Sequence, residues 1–406
     1  MGARRLLLFA ATTGYQIRVF ADAARRLGFD LSLATDRCHM LEDPWGDRAI
    51  PVRFERIEES LEALRGRNFD GVAAVGDRPA ILAAEAGREL GVAFHPPSAA
   101  RACADKYLAR SLYRMAGMRT PHFFRAAFDE DAIAVAHRAP YPCVLKPVGL
   151  SASRGVIRAN DEGEFVAAAA RIRKLGENQL QVESYIPGRE FAIEGLVTRG
   201  SFQPLAIFDK PDPLEGPFFE ETIYVTPSRE PEETQRALLE TTEQAIRALG
   251  LWHGPVHAEL RYNDEGAWML ETHARPIGGL CANSLKFDEG IPLEEVILRH
   301  AVGEDVSAVR PQHPASGVMM IPIPKDGIYE SVDGLDEASA VPGVTEVIIT
   351  AKPGQRLIPL PEGSSYLGFI FARGESPAEV DAALRYAHGQ LRFQIATALE
   401  TFKPSS

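Results

Sequence analysis

The segment at residues 253–275 reads HGPVHAELRYNDEGAWMLETHAR and contains two stretches in which apolar and polar side chains alternate. Successive side chains of a β-strand point to opposite faces of its sheet, so each stretch is typical of a strand with one polar face. The polar residues 264–266 between the stretches are typical of the loop of a hairpin. We therefore predict an antiparallel strand pair that gathers charged side chains on one face.

The polar face of this hairpin brings acidic side chains together. If the loop has three residues, Glu259 lies opposite Glu271 and His257 opposite His273, whereas a bulge at Gly266 shifts the pairing by one. Two carboxylates that face each other across a strand pair repel unless a cation lies between them. A solvated strand face is the alternative, and it accounts less well for this concentration of charge. The pattern favours a divalent metal site.

Magnesium suits such a site, because carboxylate and phosphate oxygens are its usual ligands and two ions can neutralise a γ-phosphoryl group in transfer. Arg275 follows on the same face, where a guanidinium group can contact a phosphate or a developing oxyanion. Zinc bound by His253, His257 and His273 is the alternative metal site. It is less favoured, because Gly254-Pro255 prevents the helical turn that would align the first two histidines.

The composition limits the class of protein. The chain has 406 residues, 45% hydrophobic and 25% charged, which predicts a globular protein of two or three lobes. A net charge of −12 argues against nucleic-acid binding, which needs a positive field. The 4 cysteines form no Cys-x-x-Cys pair and are interpreted as reduced packing residues. We find no cleavable signal and no apolar run near the ~20 residues that span a bilayer, so we expect no membrane contact and a cytoplasmic location.

The N-terminal region alternates short apolar runs with helical patterns, which indicates a parallel α/β sheet. The turn at 11–16 lies where such sheets bind ligands, but it lacks the Gly-x-Gly-x-x-Gly spacing, so no nicotinamide cofactor is expected. The predicted strands and helices of this region are 6–10, 15–27, 31–34, 71–75 and 79–90.

Breaks in these patterns predict four regions along the chain. Ser98 is predicted to cap a helix that runs through Lys106 to about Met115, and a last helix is predicted near 377–397. The regions are an N-terminal α/β domain at 1–97, a small α+β lobe at 98–189, a large lobe at 190–310 and a β-rich segment at 311–406.

A predicted strand ends with Lys146 and leads into a loop of small residues at 149–156. Glycine and serine let backbone N–H groups approach phosphate oxygens, while the lysine ammonium supplies positive charge. The order differs from a Walker A motif, in which the lysine follows the loop. A hairpin tip with a surface lysine explains this segment alone equally well, so the neighbouring motifs decide between the two interpretations.

The segment at 181–191 is a predicted strand that leads into a Pro-Gly turn and then becomes extended again. Backbone groups of Glu183, Ser184 and Ile186 can contact the edge of an adenine ring, and Glu190 can accept hydrogen bonds from ribose hydroxyls. A plain turn between two strands is the alternative, and this segment taken alone favours it.

These segments, in this order, resemble the ATP-grasp superfamily over roughly residues 1–310. The resemblance implies an ATP-grasp fold, with a Rossmann-like N-terminal domain, that binds ATP and two ions of Mg²⁺ or Mn²⁺. The metal ligands that it implies are Glu259, Glu271 and His273. The nucleotide contacts that it implies are Lys106, Lys146, Ser151, Ser153, Gly155, Glu183, Ser184, Ile186 and Glu190, with the loop at 151–156 as a lid.

One residue departs from the family motif Glu-x-Asn-x-Arg, which appears here at residues 271–275 with His273 in place of the asparagine. An imidazole nitrogen there can ligate the second metal, favour manganese, or stay uncoordinated, and the sequence leaves these outcomes open.

Within the superfamily, the chain is most similar to carboxylate–amine ligases that join amino acids into dipeptides. The stretch at 209–228 is similar to one that borders their substrate pocket, although Tyr224 stands where relatives often carry histidine. The likeness implies a small carboxylate and an amine as substrates and an acyl-phosphate intermediate. By analogy with the family, it also implies a homodimer. It implies Arg275, Lys210 and Glu221 as catalytic residues and Tyr224, His257, Gly278 and Gly279 as substrate contacts.

Two other functions stay open from the sequence. One is an ATP-grasp enzyme of nucleotide biosynthesis that uses formate or bicarbonate, for which Arg18, Arg37 and Arg78 are available to bind a phosphate-rich substrate. The other is a non-catalytic ATP-binding regulatory protein. The presence of both metal glutamates and both phosphate lysines argues against the regulatory protein, because such a protein has no need of them.

Overall fold

The computed structural model describes residues 2–11, 16–36 and 49–398. The chain divides into two compact units, each assembled from three separate stretches of sequence. Among the described helices, none is both long enough and apolar enough to cross a membrane. Unit 1 comprises Met1–Thr120, Gly188–Asp209 and Thr226–His313, and unit 2 comprises Pro121–Pro187, Lys210–Val225 and Pro314–Ser406.

The N-terminal part of unit 1 contains β1 (Arg5–Ala10), α1 (Ile17–Leu27), β2 (Asp30–Thr35), β3 (Ala49–Pro51), α2 (Ile57–Glu62), β4 (Gly71–Val75), α3 (Asp77–Leu90), α4 (Pro97–Ala104) and α5 (Lys106–Met115). Its strands form a parallel sheet in the order β3-β2-β1-β4. Leu6 of β1 is fully buried, as expected for a central strand of a parallel sheet. The predicted parallel α/β sheet is confirmed. Most of the turn at 11–16, together with Arg37 and Cys38, lies outside the described residues.

The prediction of one helix over 98–115 is wrong, because two helices occupy this stretch. α4 begins at Pro97, so Ser98 lies inside its first turn and is not its cap. Asp105 separates the helices with an extended backbone, and its carboxylate accepts two hydrogen bonds of 2.9 Å from N–H groups in the first turn of α5. Lys106 is therefore the first residue of α5, where the capping aspartate fixes its backbone.

The first part of unit 2 contains β5 (Phe123–Ala127), α6 (Ala132–Ala136), β6 (Cys143–Pro147), β7 (Ile157–Ala159), α7 (Glu162–Arg173) and β8 (Gln179–Ser184). The strands form an antiparallel sheet in the order β5-β8-β6-β7. Lys146 on β6 pairs in register with Gln181 on β8. The central strands thus deliver the predicted phosphate lysine and the predicted adenine hinge side by side.

The rest of unit 1 contains β12 (Gly254–Asn263) and β13 (Gly266–His273), which carry the predicted metal ligands, and several further strands and helices. The further elements are β9 (Arg189–Thr198), β10 (Ser201–Lys210), α8 (Glu232–Leu249), β14 (Lys286–Phe287), β15 (Ile291–Pro292) and α9 (Leu293–Ala301). β12 lies between β9 and β13 and is antiparallel to both. The helix α8 ends at Gly250, whose φ of 75° is in the left-handed region that glycine adopts without strain.

The hairpin of β12 and β13 has the predicted pairing for a different reason. Residues 264–265 form a loop of two residues instead of three, and a bulge directly after Glu259 restores the register. Glu259 therefore lies opposite Glu271, and His257 lies opposite His273. The two departures from a regular three-residue hairpin cancel, so the polar face forms as predicted.

Unit 2 also contains β11 (Ile223–Thr226), β16 (Ala315–Ile321), β17 (Gly327–Asp333), α10 (Leu335–Ser339), β18 (Val344–Ile349), β19 (Arg356–Leu357), β20 (Gly368–Gly374), α11 (Pro377–Gln390) and β21 (Arg392–Ala396). β16 and β18 pair with β20, and β17 pairs with β19 and β21. The β-rich C-terminal region is confirmed. The predicted last helix over 377–397 is wrong at its end, because α11 stops at Gln390 and the alternating residues 392–396 pair as a strand.

Three buried histidines surround the start of β12 in unit 1. The ring of His95 accepts a hydrogen bond from the Trp252 backbone N–H at 3.2 Å and donates to the Pro255 carbonyl at 3.0 Å. The rings of His253 and His300 stack with centroids 4.1 Å apart. Burial lowers the pKa of His95 to about 4 and is also the main cause that lowers the pKa of His300 to about 3. These rings are neutral in the folded protein.

We expect this cluster to make the fold acid-sensitive. In the unfolded chain, histidine binds a proton near pH 6.5, so the stability contributed by neutral His95 is lost as the pH falls from about 6.5 towards 4. The loss is about 2 kcal/mol at pH 5 for His95 alone. Denaturant unfolding at pH 7.5, 6 and 5 measures it. His95→Gln, whose amide can also accept and donate, should flatten this dependence, and equal slopes for the variant and the wild type would contradict the assignment.

Candidate active site

The β12–β13 hairpin in unit 1 carries all three predicted metal ligands, Glu259, Glu271 and His273. The side chains of Glu259 and Glu271 are about one-fifth to one-quarter exposed, at 21% and 25%. Lys106 at the start of α5 places its Nζ 3.6 Å from Glu271 Oε1. Although burial opposes ionisation, the charge of Lys106 and the hydrogen bond from His273 lower the pKa of Glu271 to about 2. Glu271 is therefore a carboxylate at any physiological pH.

His257 links the hairpin to β9. Its Nδ1 lies 2.5 Å from Glu194 Oε1, and its Nε2 lies 3.3 Å from Glu259 Oε1. Burial disfavours the imidazolium, but the charge of Glu194 and hydrogen bonds to both carboxylates raise the pKa of His257 to about 9. A protonated ring donates to both carboxylates and holds Glu259 in place. The structure thus gives His257 a contact with a predicted metal ligand, whereas its predicted contact with substrate stays a prediction.

Asp77, the first residue of α3, adds a further carboxylate beside the hairpin. Asp77 accepts hydrogen bonds from His273 Nδ1 at 2.9 Å and from Arg275 Nε at 3.0 Å. Burial opposes its ionisation, but the charges of Arg275 and His273 hold the pKa of Asp77 well below its ordinary value. The predicted catalytic arginine and the predicted third metal ligand therefore share one carboxylate.

The donor set fits a hard divalent cation. Two glutamates face each other across the strand pair, and two carboxylates in this arrangement repel unless a cation compensates them. Glu190 on β9 adds a third carboxylate, with an oxygen within 4.8 Å of one on Glu259. Oxygen ligands of this kind suit Mg²⁺ and Mn²⁺. Glu190 also accepts from Arg261 Nε at 2.9 Å.

Several predicted nucleotide residues of unit 2 lie on the paired strands β6 and β8. Lys146 Nζ lies 2.9 Å from Glu183 Oε2, and both side chains are buried. Gln181 donates to the other oxygen of Glu183 at 2.5 Å. Ser184 is the last residue of β8, and its Oγ accepts a hydrogen bond from the His122 backbone N–H at 3.1 Å. Ile186, two residues further along the chain, is buried.

The loop at 151–156, predicted to act as a lid, is strained and attached within unit 2. Ala152 and Ser153 have φ angles of 56° and 53°, in the left-handed region that non-glycine residues rarely adopt, and Ser151 precedes them. The N–H of Gly155 donates to the Pro361 carbonyl at 2.8 Å, and Arg154 Nε donates to the Glu362 carbonyl at 2.9 Å. Backbone strain of this kind clusters at binding sites, and the role of this loop as a lid stays a prediction.

Gly155 is a position where we expect any side chain to disturb this loop. Its φ is 73°, and an added Cβ would lie 2.9 Å from Leu175 Cδ1 and 3.0 Å from Pro147 Cγ. The left-handed backbone alone costs about 1 to 2 kcal/mol for alanine. If the loop binds ATP, Gly155→Ala should weaken ATP binding about tenfold, measured by isothermal titration calorimetry. Gly389→Ala, at an exposed position of α11 where an added Cβ meets nothing within 4 Å, is the control and should bind as the wild type does.

Lys210, Glu221 and Tyr224 lie together in unit 2. Lys210 is hydrogen-bonded to Glu221, and its Nζ lies 5.0 Å from the centre of the Tyr224 ring. The same segment is attached to α11, because Arg385 Nη2 lies 2.6 Å from Asp212 Oδ1. The structure therefore brings the predicted substrate residues together.

Gly278 and Gly279 follow Arg275 in unit 1. An added Cβ at Gly278 would meet nothing within 4 Å, and Gly279 has a φ of 63°. Gln16 Nε2 donates to the Ile277 carbonyl at 2.8 Å and fixes the chain just before them. Their predicted contact with substrate stays a prediction.

Two residues of this site are absent from the sequence prediction. Asp77 lies just beyond the carboxyl end of the parallel strand β4, which is where such sheets place ligand-binding residues, so its position was a usable signal. Glu194 interrupts an apolar strand and is 1% exposed. An isolated charge in a buried strand needs a partner, but only the structure identifies that partner as His257.

Comparison with known proteins identifies the fold. Residues 139–284 match the ATP-grasp domain, and residues 319–396 match the L-amino acid ligase C-terminal domain 2. The crystal structure of L-amino acid ligase from Bacillus licheniformis superimposes with a TM-score of 0.81 and 27% identity, covering 98% of this chain and 100% of that one. The predicted resemblance to the ATP-grasp superfamily and its amino acid ligases is confirmed, as is the predicted fold.

Relatives in sequence point to the same enzyme class. An uncharacterised protein of Sinorhizobium fredii is 23% identical over 399 residues, 95% of this chain and 82% of that protein. The alanine–anticapsin ligase of Bacillus subtilis is 26% identical over 239 residues, 53% of this chain. That alignment spans 50% of the length of the curated ligase. The prediction of an ATP-dependent ligase that forms C–N bonds agrees with the relatives that are named as ligases and is confirmed at the level of enzyme class.

Proposed function

We propose that this ATP-grasp chain joins the carboxylate of an amino acid to an amine through an acyl phosphate and releases ADP and phosphate. The observation that carries the proposal is the pair Glu259 and Glu271, which lie opposite each other on the hairpin with Lys106 beside them. A solvated strand has no need of this arrangement, whereas a bound metal–nucleotide complex does. The match of 319–396 to an L-amino acid ligase domain supports an amino acid as the carboxylate.

The proposed reaction has two steps. A carboxylate oxygen attacks the γ-phosphorus of ATP, the bond from that phosphorus to the β,γ-bridging oxygen breaks, and ADP leaves. The nitrogen of the amine then attacks the acyl carbon, and phosphate leaves with the oxygen that came from the carboxylate. Glu259 and Glu271 would hold divalent ions, which would supply positive charge for the transferred phosphoryl group.

The side chains of this chain have separate tasks in that scheme. Lys146 and Lys106 neutralise phosphate oxygens, as the family resemblance implies. Arg275 stabilises the oxyanion at the carbonyl, and Asp77 orients its guanidinium group through Nε at 3.0 Å. Glu221, which is hydrogen-bonded to Lys210, binds the ammonium group of a substrate or accepts its proton before attack.

The contacts of a candidate phosphate-binding arginine favour an amino acid over the substrates of nucleotide biosynthesis. A phosphate-rich substrate needs arginines that are available to bind it. Arg78, one of the three candidates, is in an ion pair of 2.6 Å with Glu55 at the surface. The solved carboxyaminoimidazole ribonucleotide synthase from Aspergillus clavatus superimposes with a TM-score of 0.73, but at 16% identity the likeness concerns the fold alone.

A substrate matrix tests the proposal. Purified protein is incubated with MgATP and pairs of L-amino acids and small carboxylates, and the nucleotide product and phosphate are measured. The proposal predicts ADP and phosphate only when both an amino acid carboxylate and an amine are present. AMP and pyrophosphate would indicate adenylation and reject the acyl phosphate, and ATP binding without turnover on every pair would support the regulatory alternative.

A further inference from the structure

His273 lies between two carboxylates at the position where the family motif has asparagine. Its Nδ1 is 2.9 Å from Asp77 Oδ1, and its Nε2 is 3.3 Å from Glu271 Oε2. The ring is buried, with 5% of the residue exposed. The imidazole is therefore held at both nitrogens in a fixed direction.

Asp77 determines which nitrogen carries a proton. Arg275 contacts it through Nε at 3.0 Å and Nη2 at 3.4 Å, so the carboxylate is ionised and can only accept hydrogen bonds. Asp77 is also the first residue of α3, where the helix dipole favours a negative charge. Because Asp77 accepts from Nδ1–H, the lone pair of a neutral ring is on Nε2, which points at Glu271.

The contacts of Glu271 turn its Oε2, and not its Oε1, towards His273, so Oε2 and His273 Nε2 are the two atoms that can share an ion. Lys106 Nζ is 3.6 Å from Oε1, while His273 Nε2 is 3.3 Å from Oε2. Two ligand atoms about 2.1 Å from one octahedral ion lie about 3 Å apart when they are adjacent. A histidine that donates its other N–H to a carboxylate is the usual arrangement of a metal-ligating imidazole.

We propose that His273 is a nitrogen ligand of the metal bound by Glu271, that Asp77 is its positioning residue, and that this ligand makes the site prefer Mn²⁺ to Mg²⁺. Imidazole nitrogen binds first-row transition ions well, whereas Mg²⁺ prefers oxygen ligands throughout. The proposal rests on the proposed function only in taking the hairpin as the metal site. The opposing arrangement is an imidazolium that donates directly to Glu271 and excludes the ion from His273.

Paramagnetic resonance of bound Mn²⁺ distinguishes these arrangements without turnover. The full chain is held in excess over Mn²⁺ and ADP, and the echo-modulation spectrum is examined for hyperfine coupling to a nitrogen ligand. We expect this coupling in the wild type and its loss in His273→Asn, which restores the residue of the family motif. Competition with Mg²⁺ gives the ratio of the Mn²⁺ affinity to the Mg²⁺ affinity. We expect this ratio to fall at least tenfold in His273→Asn.

Two further variants separate positioning from folding. Asp77→Asn should keep His273 but loosen its ring, and we expect Mn²⁺ affinity to fall about tenfold with a weaker nitrogen coupling. His137→Asn removes an exposed histidine whose Nδ1 is 2.8 Å from Glu162 and should change neither measurement. Thermal unfolding without metal shows whether each variant is folded.

An absent nitrogen coupling in the wild type, or an unchanged Mn²⁺ to Mg²⁺ ratio in His273→Asn, would overturn the proposal. These measurements need no substrate. A protein that makes no product from any pair would count against the proposed function alone, while an oxygen-only metal site would count against this inference alone.

Discussion

Glu271→Gln is expected to lower the rate of ATP-dependent phosphate release by about 100- to 1000-fold. The substitution keeps the size of the side chain but removes a charge that Lys106 and His273 hold as a carboxylate. One of the two opposed metal ligands is then neutral, so a divalent ion is held less tightly. The phosphoryl group is therefore transferred with less positive charge beside it. Steady-state phosphate release at saturating ATP measures the effect.

The matched control for this variant is Glu265→Gln, in the exposed loop of the same hairpin. It removes the same charge from the same pair of strands and should keep the wild-type rate. A Glu271→Gln protein that unfolds at the wild-type temperature but keeps a rate within threefold of wild type would show that the hairpin does not bind the catalytic metal.

Lys146→Met is expected to lower both stability and ATP affinity. The change leaves the carboxylate of Glu183, which is 2% exposed, without the Lys146 ammonium at 2.9 Å. Removing one partner of a buried ion pair costs about 3 kcal/mol or more. Loss of a charged contact with a phosphate costs about 1.5 to 3 kcal/mol, so ATP should bind about 10- to 150-fold more weakly. Denaturant unfolding and calorimetric titration with ATP measure the two effects.

The double variant Lys146→Met with Glu183→Gln separates these effects. Neutral glutamine can still accept from Gln181, so the buried charge is removed and most of the lost stability should return. ATP affinity should stay low, because the ammonium is still absent. If the double variant instead binds ATP as the wild type does, Lys146 has only a structural role.

The sequence predicted the polar face of the hairpin because strand alternation is a local property. The pairing of Glu259 with Glu271 was nevertheless right only because the two-residue loop and the bulge compensate each other. Loop length and bulges depend on how neighbouring strands such as β9 pack, which periodicity does not report.

Two local errors had signals that were available in the sequence. Asp105 is an ordinary helix-capping residue, and it interrupts the predicted helix over 98–115. The alternating residues 392–396 are typical of a strand, although they continue directly from a helical pattern. In both places a strong neighbouring pattern was extended past a residue that ends it.

The partners of the site residues could not be read from the sequence. Asp77 is separated from His273 by 196 positions, and Glu194 is separated from His257 by 63. No spacing rule connects Glu194 with His257, which meet when β9 pairs with β12, or Asp77 on α3 with His273 on β13. These partners nevertheless determine the charge and orientation of the metal-site residues, so the electrostatics of the site had to come from the structure.

The transfer of oxygen from substrate to phosphate tests the acyl phosphate most directly. An amino acid that supports turnover is labelled with ¹⁸O in its carboxylate, and the released phosphate is analysed by mass spectrometry. The account predicts that each phosphate carries one oxygen from the carboxylate, because that oxygen leaves with phosphorus when the amine attacks. Unlabelled phosphate, or label found in AMP, would contradict it.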